Sequence, residues 1–105
     1  IAAIAESAYV GVVPHNPLSC VLTAACIQID AATHNISVQE YPHDDDSGIK
    51  AKLVKEPLKR NGGYLEIPTA PGIGIELNEE AFGHYPPVPY ARPALINPDG
   101  SLREY

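Results

Sequence analysis

The order strand, helix, strand within the first 40 residues is the feature that most constrains what this chain can fold into. Residues 8–13 form a continuous apolar run, apolar residues then recur at a helical period up to about Thr33, and residues 36–40 have the pattern of a second short strand. Continuous apolar runs are typical of strands buried on both faces of a parallel sheet. Parallel strands need a connection of about a dozen residues or more, usually a helix. The pattern therefore predicts an α/β fold with a parallel pair of strands.

The residues around the first strand predict where the neighbouring helices end and begin. Residues 1–7 have the pattern of the last turns of a helix, whereas Asn16 is a candidate N-cap and Pro17 suits the first position of the next helix. The apolar residues of that next helix recur at helical spacing: Leu18, Val21, Leu22, Ala25, Ile29 and Ala32. We therefore expect one helix to connect the two strands.

Residues 42–105 differ in kind, because they hold most of the eleven prolines and eight glycines. The acidic run Asp44–Asp46 is expected to be a solvated loop tip. Two short strands are predicted at residues 63–68 and 72–77, and Asn78 is a candidate cap of a short helical turn. This part of the chain is therefore expected to consist of short elements joined by turns.

The two ends of the chain indicate that it packs against something larger. Residues 85–105 hold five prolines, so we expect them to be irregular or extended and unable to build their own core. The chain contains no methionine, and its opening residues, IAAIAESA, have no capping residue before them. We therefore expect these 105 residues to be a piece of a longer protein.

Charge and cysteine spacing indicate the partners and compartment of the protein. A net charge of −6 argues against binding to nucleic-acid backbones and to anionic membrane surfaces. No apolar run approaches the roughly 20 residues that span a bilayer, and no signal-peptide pattern is present. Cys20 and Cys26 would lie about 9 Å apart along one helix, beyond the roughly 7 Å limit for a disulfide. We therefore expect free buried thiols and a cytoplasmic protein.

Two residues capable of proton transfer follow the two predicted strands. His15 comes directly after the first strand, and Glu40 ends the second. The carboxyl ends of parallel strands lie at one edge, where α/β folds build active sites. Imidazole titrates near neutral pH, and a carboxyl group in an apolar environment can stay protonated and donate to a developing oxyanion. His15 and Glu40 are therefore the candidate catalytic pair, although a histidine after a strand is more often structural.

Other polar residues are weaker candidates. Asn16 could contact substrate from its place beside His15, but helix capping accounts for it equally well. His34, His43 and His84 are expected at the surface, and no Cys/His pair has the spacing of a structural zinc site. The glycines of PGIGIE lack the spacing of a phosphate-binding loop, so turn geometry or packing is the better interpretation.

Two segments carry a resemblance to a known family. VVPHNPLSCVLTAACIQIDAATHNISVQE resembles the penultimate barrel segment of the mandelate racemase and acid-sugar dehydratase branch of the enolase superfamily, and is most similar to galactonate dehydratase-like enzymes. PTAPGIGIELNEEAF resembles the segment in which that family's chain returns to the capping domain. The resemblance implies the C-terminal part of a (β/α) TIM-type barrel over residues 1–41. Residues 42–105 would then be a C-terminal segment that packs on an α+β capping domain.

The resemblance also implies roles for the candidate pair. His15 matches the histidine that exchanges the proton next to the substrate carboxylate, and Glu40 matches the glutamate that hydrogen-bonds a carboxylate oxygen as the enediolate forms. The implied activity is a hydro-lyase that converts a galactonate-like sugar acid to a 2-keto-3-deoxy acid. The cofactor would be Mg²⁺, with its ligands outside this segment. The expected partners are a small sugar acid, the rest of the parent chain and, within a homo-oligomer, other copies.

Three alternatives stay open from the sequence. A racemase or epimerase of the same superfamily would use the same histidine and glutamate. A non-catalytic structural fragment and a free-standing small α/β domain need no active site at all.

The resemblance generates a first prediction, because the metal ligands and the opposing acid/base are expected outside these 105 residues. The isolated chain should form no 2-keto acid from any aldonate, as measured by a keto-acid assay over a panel of sugar acids. Turnover by the isolated chain would show that the catalytic groups lie within it.

Overall fold

The computed structural model describes residues 1–90 and 95–101, which form a small arrangement of mixed helices and strands. Its elements in chain order are α1 (Ala2–Ser7), α2 (Cys20–Ala31), α3 (Gly48–Lys52), β1 (Arg60–Asn61), β2 (Tyr64–Leu65) and α4 (Glu79–Phe82).

The predicted parallel pairing is confirmed at a single bridge between Val12 and Ile36. The Val12 N–H donates to the Asn35 carbonyl at 2.8 Å, and the Ser37 N–H donates to the Val12 carbonyl at 3.0 Å. The Asn35 amide also donates to the Val10 carbonyl at 2.8 Å, which strengthens the join. The two segments that carry His15 and Glu40 therefore run side by side in the same direction.

The prediction that residues 8–13 are buried on both faces is wrong for the described structure. Tyr9 is fully exposed, and Val10 and Val13 are about half exposed, at 53% and 52%. A parallel strand is buried only when further strands pair with it and helices cover both faces of the sheet. The described residues provide one bridging partner and no cover for these side chains.

Helix α2 begins later than predicted, because Ser19 is its N-cap. The Ser19 hydroxyl accepts a hydrogen bond from the Leu22 N–H at 3.3 Å, which satisfies one of the free donors of the first turn. Asn16 is not the cap, since its side chain is fully buried and bonded elsewhere. The helix ends at Ala31, close to the predicted end.

The buried face of α2 is not the predicted apolar stripe. Ile27 is 4% exposed, whereas Ile29, which belongs to the stripe, is 52% exposed. The residues that α2 buries are Cys20, Thr23, Ala24, Cys26 and Ile27. Ala24 and Ile27 form the core with Leu58, and Leu65 and Ile75 pack against it. Helix α2 therefore has apolar residues on two sides, which is typical of a helix that is covered all round.

The prediction that residues 44–46 form a solvated loop tip is wrong, because the loop folds back against α2. Asp45 is fully buried and accepts a hydrogen bond from the Thr23 hydroxyl. Its neighbours form ion pairs: Asp44 with Lys50 at 2.8 Å and Asp46 with Arg60 at 2.9 Å. Each of the three carboxylates therefore has a hydrogen-bond or ion-pair partner within the chain.

A two-stranded antiparallel hairpin follows, with Arg60 opposite Leu65 and Asn61 opposite Tyr64. The turn at Gly62–Gly63 uses a left-handed φ of 60° at Gly62. Strand β2 lies within the predicted strand 63–68. The strand predicted at 72–77 is wrong, since only Leu77 pairs, in an antiparallel bridge with Val54.

Asn78 directly precedes α4, as predicted, but its side chain makes no capping bond. It donates instead to the Lys52 carbonyl at 3.2 Å, so it joins α4 to α3. Residues 86–90 have neither helix nor strand, in agreement with the prediction for the proline-rich end. The parts of that prediction at residues 91–94 and 102–105 lie outside the described residues.

Cys20 and Cys26 are free and buried, as predicted. Burial raises the pKa of both thiols, and the nearby Asp45 carboxylate raises that of Cys20 further. Within the described ranges, none of the helices is long and apolar enough to span a membrane.

The two glycines of PGIGIE generate a second prediction. Both have a left-handed φ, 72° at Gly72 and 85° at Gly74, but only a Cβ at Gly74 would meet a neighbour, 2.5 Å from side-chain carbons of Pro68. Gly72→Ala should cost about 1–2 kcal/mol for the left-handed backbone. Gly74→Ala should add about 1–3 kcal/mol for the overlap. Urea unfolding of the two variants would measure the difference, and equal losses would contradict the packing account of Gly74.

Candidate active site

The structure brings the predicted catalytic pair together. His15 Nε2 lies 3.9 Å from Glu40 Oε2, and the two side chains are 80% and 44% exposed. Both residues follow the segments joined by the Val12–Ile36 bridge, so the parallel pairing sets their separation. The arrangement places a proton acceptor and a carboxyl group where one small molecule could contact both.

The main chain beside His15 holds the Glu40 carboxyl group. The Asn16 N–H donates to Glu40 Oε2 at 2.6 Å, a short hydrogen bond. The Glu40 carbonyl accepts from the Asn16 side-chain amide at 3.3 Å and from the Gln39 amide at 2.6 Å. Glu40 is therefore held at its side chain and its backbone, even though it lies at the surface.

Asn16 serves as the link between this pair and the interior. Its side chain is fully buried, and its amide nitrogen also donates to the Thr23 hydroxyl at 2.6 Å. Within the part of the chain that the structure describes, the side-chain oxygen is buried without a hydrogen-bond partner. The role of Asn16 as a substrate contact therefore stays a prediction, whereas its role in holding Glu40 is visible in the structure.

Sequence reasoning missed two residues behind Asn16. Thr23 and Asp45 are fully buried and hydrogen-bonded to each other. Asp45 lies 3.5 Å from the Lys50 ammonium group, which partly balances its charge. Thr23 is a polar residue among the apolar neighbours of α2, and this was the available signal. The sequence of the acidic run Asp44–Asp46 does not indicate that Asp45 is the aspartate that is buried.

The other three histidines lie at the surface. His34, His43 and His84 are exposed, as predicted. In residues 1–90 and 95–101, no group of three or more His, Cys, Asp or Glu side chains could hold a metal ion. Magnesium prefers near-octahedral coordination by oxygen atoms, and Glu40 with its main-chain donor does not supply such a set. The described residues therefore do not fit a magnesium site by themselves.

A groove of about 550 Å³ lies between α2 and the hairpin, with neither His15 nor Glu40 in its lining. Asp30, Gln39 and Tyr41 are among the polar residues that line it. Burial raises the pKa of Asp30, and burial together with the Asp46 and Asp45 charges raises the pKa of Tyr41 to about 12. The groove therefore lies beside the face of α2 against which Leu65 of β2 packs.

Comparison with known proteins identifies relatives over nearly the whole chain. A family model described as "Enolase C-terminal domain-like" matches residues 1–81. The D-galactonate dehydratase of Variovorax paradoxus is 33% identical over 112 aligned residues, covering all of this chain and 29% of the relative. That of Cronobacter sakazakii is 36% identical and covers 76% of this chain and 22% of the relative.

Solved structures agree with the sequence comparison. An enolase from Agrobacterium radiobacter with a suggested galactarate dehydratase activity, solved with sodium and L-malate, is 32% identical with a TM-score of 0.78. The match covers 96% of this chain and 29% of that one. A suggested mandelate racemase/muconate lactonizing enzyme from Burkholderia is 33% identical with a TM-score of 0.79, covering 87% and 22%. This chain therefore spans less than a third of the length of these relatives.

The environment of Tyr41 generates a third prediction. A raised pKa means that the folded state favours the neutral phenol, so stability contributed by Tyr41 is full below pH 10 and is lost as the pH rises through about 12. In ultraviolet titration of the phenolate absorbance, the component that ionises near pH 12 should disappear in Tyr41→Phe. It should persist in Tyr64→Phe, which removes an exposed tyrosine. A late component that survives in Tyr41→Phe would contradict the burial of this phenol.

Proposed function

This chain belongs to the enolase C-terminal domain-like family, and we propose that it is the C-terminal part of a Mg²⁺-dependent acid-sugar dehydratase. In this proposal, residues 1–41 provide the last helix and strand units of a (β/α) barrel. Residues 42–105 pack on the capping domain of the same parent chain. The substrate is a galactonate-like sugar acid and the product a 2-keto-3-deoxy acid.

The observation that carries the proposal is the 3.9 Å separation of His15 Nε2 and Glu40 Oε2 at the ends of two parallel segments. The names of the relatives, D-galactonate dehydratase among them, support the choice of reaction. The half-exposed Val10 and Val13 and the exposed side of α2 support a parent chain, because its barrel would cover them. Two buried free thiols fit a reducing compartment, so we propose a cytoplasmic enzyme. We propose a homo-oligomer from the family resemblance alone.

The two residues would divide the work of forming an enediolate. His15 takes the proton from the carbon next to the substrate carboxylate, and the electron pair of that C–H bond moves onto the carboxylate. Glu40, protonated on the oxygen that Asn16 does not hold, donates a hydrogen bond to the oxygen that gains charge. The enediolate then expels the β-hydroxyl, which leaves as water with a proton from an acid elsewhere in the parent chain. The resulting enol becomes the 2-keto-3-deoxy acid.

Magnesium enters the proposal only through the family. When bound, it would stabilise the charge on the carboxylate oxygens. Its ligands would be carboxylates of the parent chain outside these 105 residues. None of the steps assigned to His15 and Glu40 is routed through the ion.

The proposal generates a fourth prediction, made for the parent chain. His15→Asn should lower the rate of keto-acid formation from a galactonate-like acid by about 10²–10⁴-fold, because it removes the general base. It should lower exchange of the substrate α-proton with deuterium oxide as strongly. His34→Asn, at an exposed histidine in the turn that precedes the second strand segment, should leave both rates unchanged.

Three outcomes would contradict part of the proposal. A wild-type parent chain that forms no keto acid from any sugar acid would refute the dehydratase. Formation of an epimer without keto acid would favour the racemase or epimerase alternative. Unchanged α-proton exchange in His15→Asn would remove His15 from the reaction.

A further inference from the structure

We propose that Thr23 and Asp45 are positioning residues that fix Glu40 through Asn16. The inference rests on the proposed function for its kinetic readout, but its structural basis is independent of the reaction. It concerns a chain of hydrogen bonds that runs from the surface to a fully buried carboxylate. Both residues are fully buried, so they would act on Glu40 through Asn16 and not by direct contact with the substrate.

The chain of bonds starts at the backbone of residue 16. The Asn16 N–H holds Glu40 Oε2 at 2.6 Å, so the position of this one peptide group decides where the carboxyl group lies relative to His15. The Asn16 side chain fixes the same peptide group, because its amide nitrogen donates to the Thr23 hydroxyl and to the Glu40 carbonyl. Asn16 therefore ties the end of the first strand segment to the end of the second.

Thr23 determines which groups donate and which accept along this chain of hydrogen bonds. Its hydroxyl has one proton, and its oxygen accepts from the Asn16 amide at 2.6 Å. That proton is available to Asp45 Oδ2 and to the Ser19 carbonyl, which lies 3.2 Å away. An ionised carboxylate can only accept, so Asp45 draws the hydroxyl proton towards itself and leaves a lone pair facing Asn16. The Asn16 amide is thus oriented with its nitrogen, not its oxygen, towards Thr23 and Glu40.

Asp45 anchors the far end. A fully buried carboxylate is costly unless it is paired and hydrogen-bonded. Asp45 Oδ2 accepts from the Thr23 hydroxyl, and Oδ1 forms an ion pair with the Lys50 ammonium group at 3.5 Å but has no hydrogen bond among the described residues. Lys50 is held in turn by Asp44 at 2.8 Å, which raises the pKa of Lys50 and lowers that of Asp44. The loop after Glu40 is therefore fastened to α2 by the same residues that orient Asn16.

This arrangement restrains Glu40, the less exposed member of the pair. His15 and Glu40 are largely exposed, and exposed side chains are otherwise free to change rotamer. The restraint on Glu40 comes from behind, through three residues that are themselves fully buried: Asn16, Thr23 and Asp45. Loss of the Thr23 hydroxyl would free the Asn16 amide and let the peptide group at residue 16 move.

The test compares two substitutions of Thr23 in the parent chain. Thr23→Val keeps the shape but loses the hydroxyl, and Thr23→Ser keeps the hydroxyl. Thr23→Val should lower kcat by about 10- to 100-fold with KM changed by no more than about twofold, since a displacement near 1 Å costs about that much in rate. Thr23→Ser should stay within about threefold of wild type, and Thr69→Val should match wild type because Thr69 is an exposed threonine outside the network.

Hydrogen exchange gives a readout that needs no activity. Exchange of the Asn16 main-chain amide should be faster in Thr23→Val by about tenfold or more, and unchanged in Thr23→Ser and Thr69→Val. Melting temperatures of all the variants identify any global loss of stability, and the rates are then compared at temperatures where each variant is folded. A wild-type chain without activity on sugar acids would refute the proposed function and leave this exchange test intact.

Two results would overturn the inference. Equal kcat and equal Asn16 exchange in Thr23→Val and wild type would show that the hydroxyl positions nothing. A similar fall in melting temperature and kcat and a similar change in KM in both Thr23→Val and Thr23→Ser would show that the site responds only to packing.

Discussion

The parallel bridge between Val12 and Ile36 is the interaction on which the rest of the site depends. It brings two segments that are 24 residues apart into the same register, and His15 and Glu40 each follow one of them. Without it, neither the 3.9 Å approach of the imidazole and the carboxyl group nor the bond from Asn16 to Glu40 could form. The connection through α2 makes the bridge possible, because parallel strands need a crossover of that length.

Two kinds of packing meet at α2. One side of the helix packs on the core formed with Leu58, and its N-terminal turns bury Thr23 in the polar network. The other side carries exposed apolar residues such as Ile29. A helix of this composition is stable when both sides are covered, which agrees with relatives whose chains are more than three times as long. The candidate site is thus supported from within by polar contacts, while much of the apolar surface around it has no partner in these residues.

The sequence predicted the candidate pair because its signal was local. A histidine after an apolar run and a glutamate at the end of the next one need only the parallel pairing to meet, and that pairing follows from the crossover. The N-cap was predicted wrongly at Asn16, because both Asn16 and Ser19 are good caps and the choice depended on partners distant in sequence. The solvation of Asp45 was predicted wrongly for the same reason, since three adjacent aspartates have the same local sequence environment.

The sequence by itself determined the α/β order of elements, the parallel pairing, the free cysteines and the placement of His15 and Glu40 at neighbouring strand ends. These properties depend on chain connectivity and residue spacing, which every fold of this chain must respect. The tertiary structure alone decided which face of α2 is buried, which aspartate lies inside and how Asn16 holds Glu40. Those outcomes depend on which polar groups find partners when water is removed, and such partners come from distant parts of the chain.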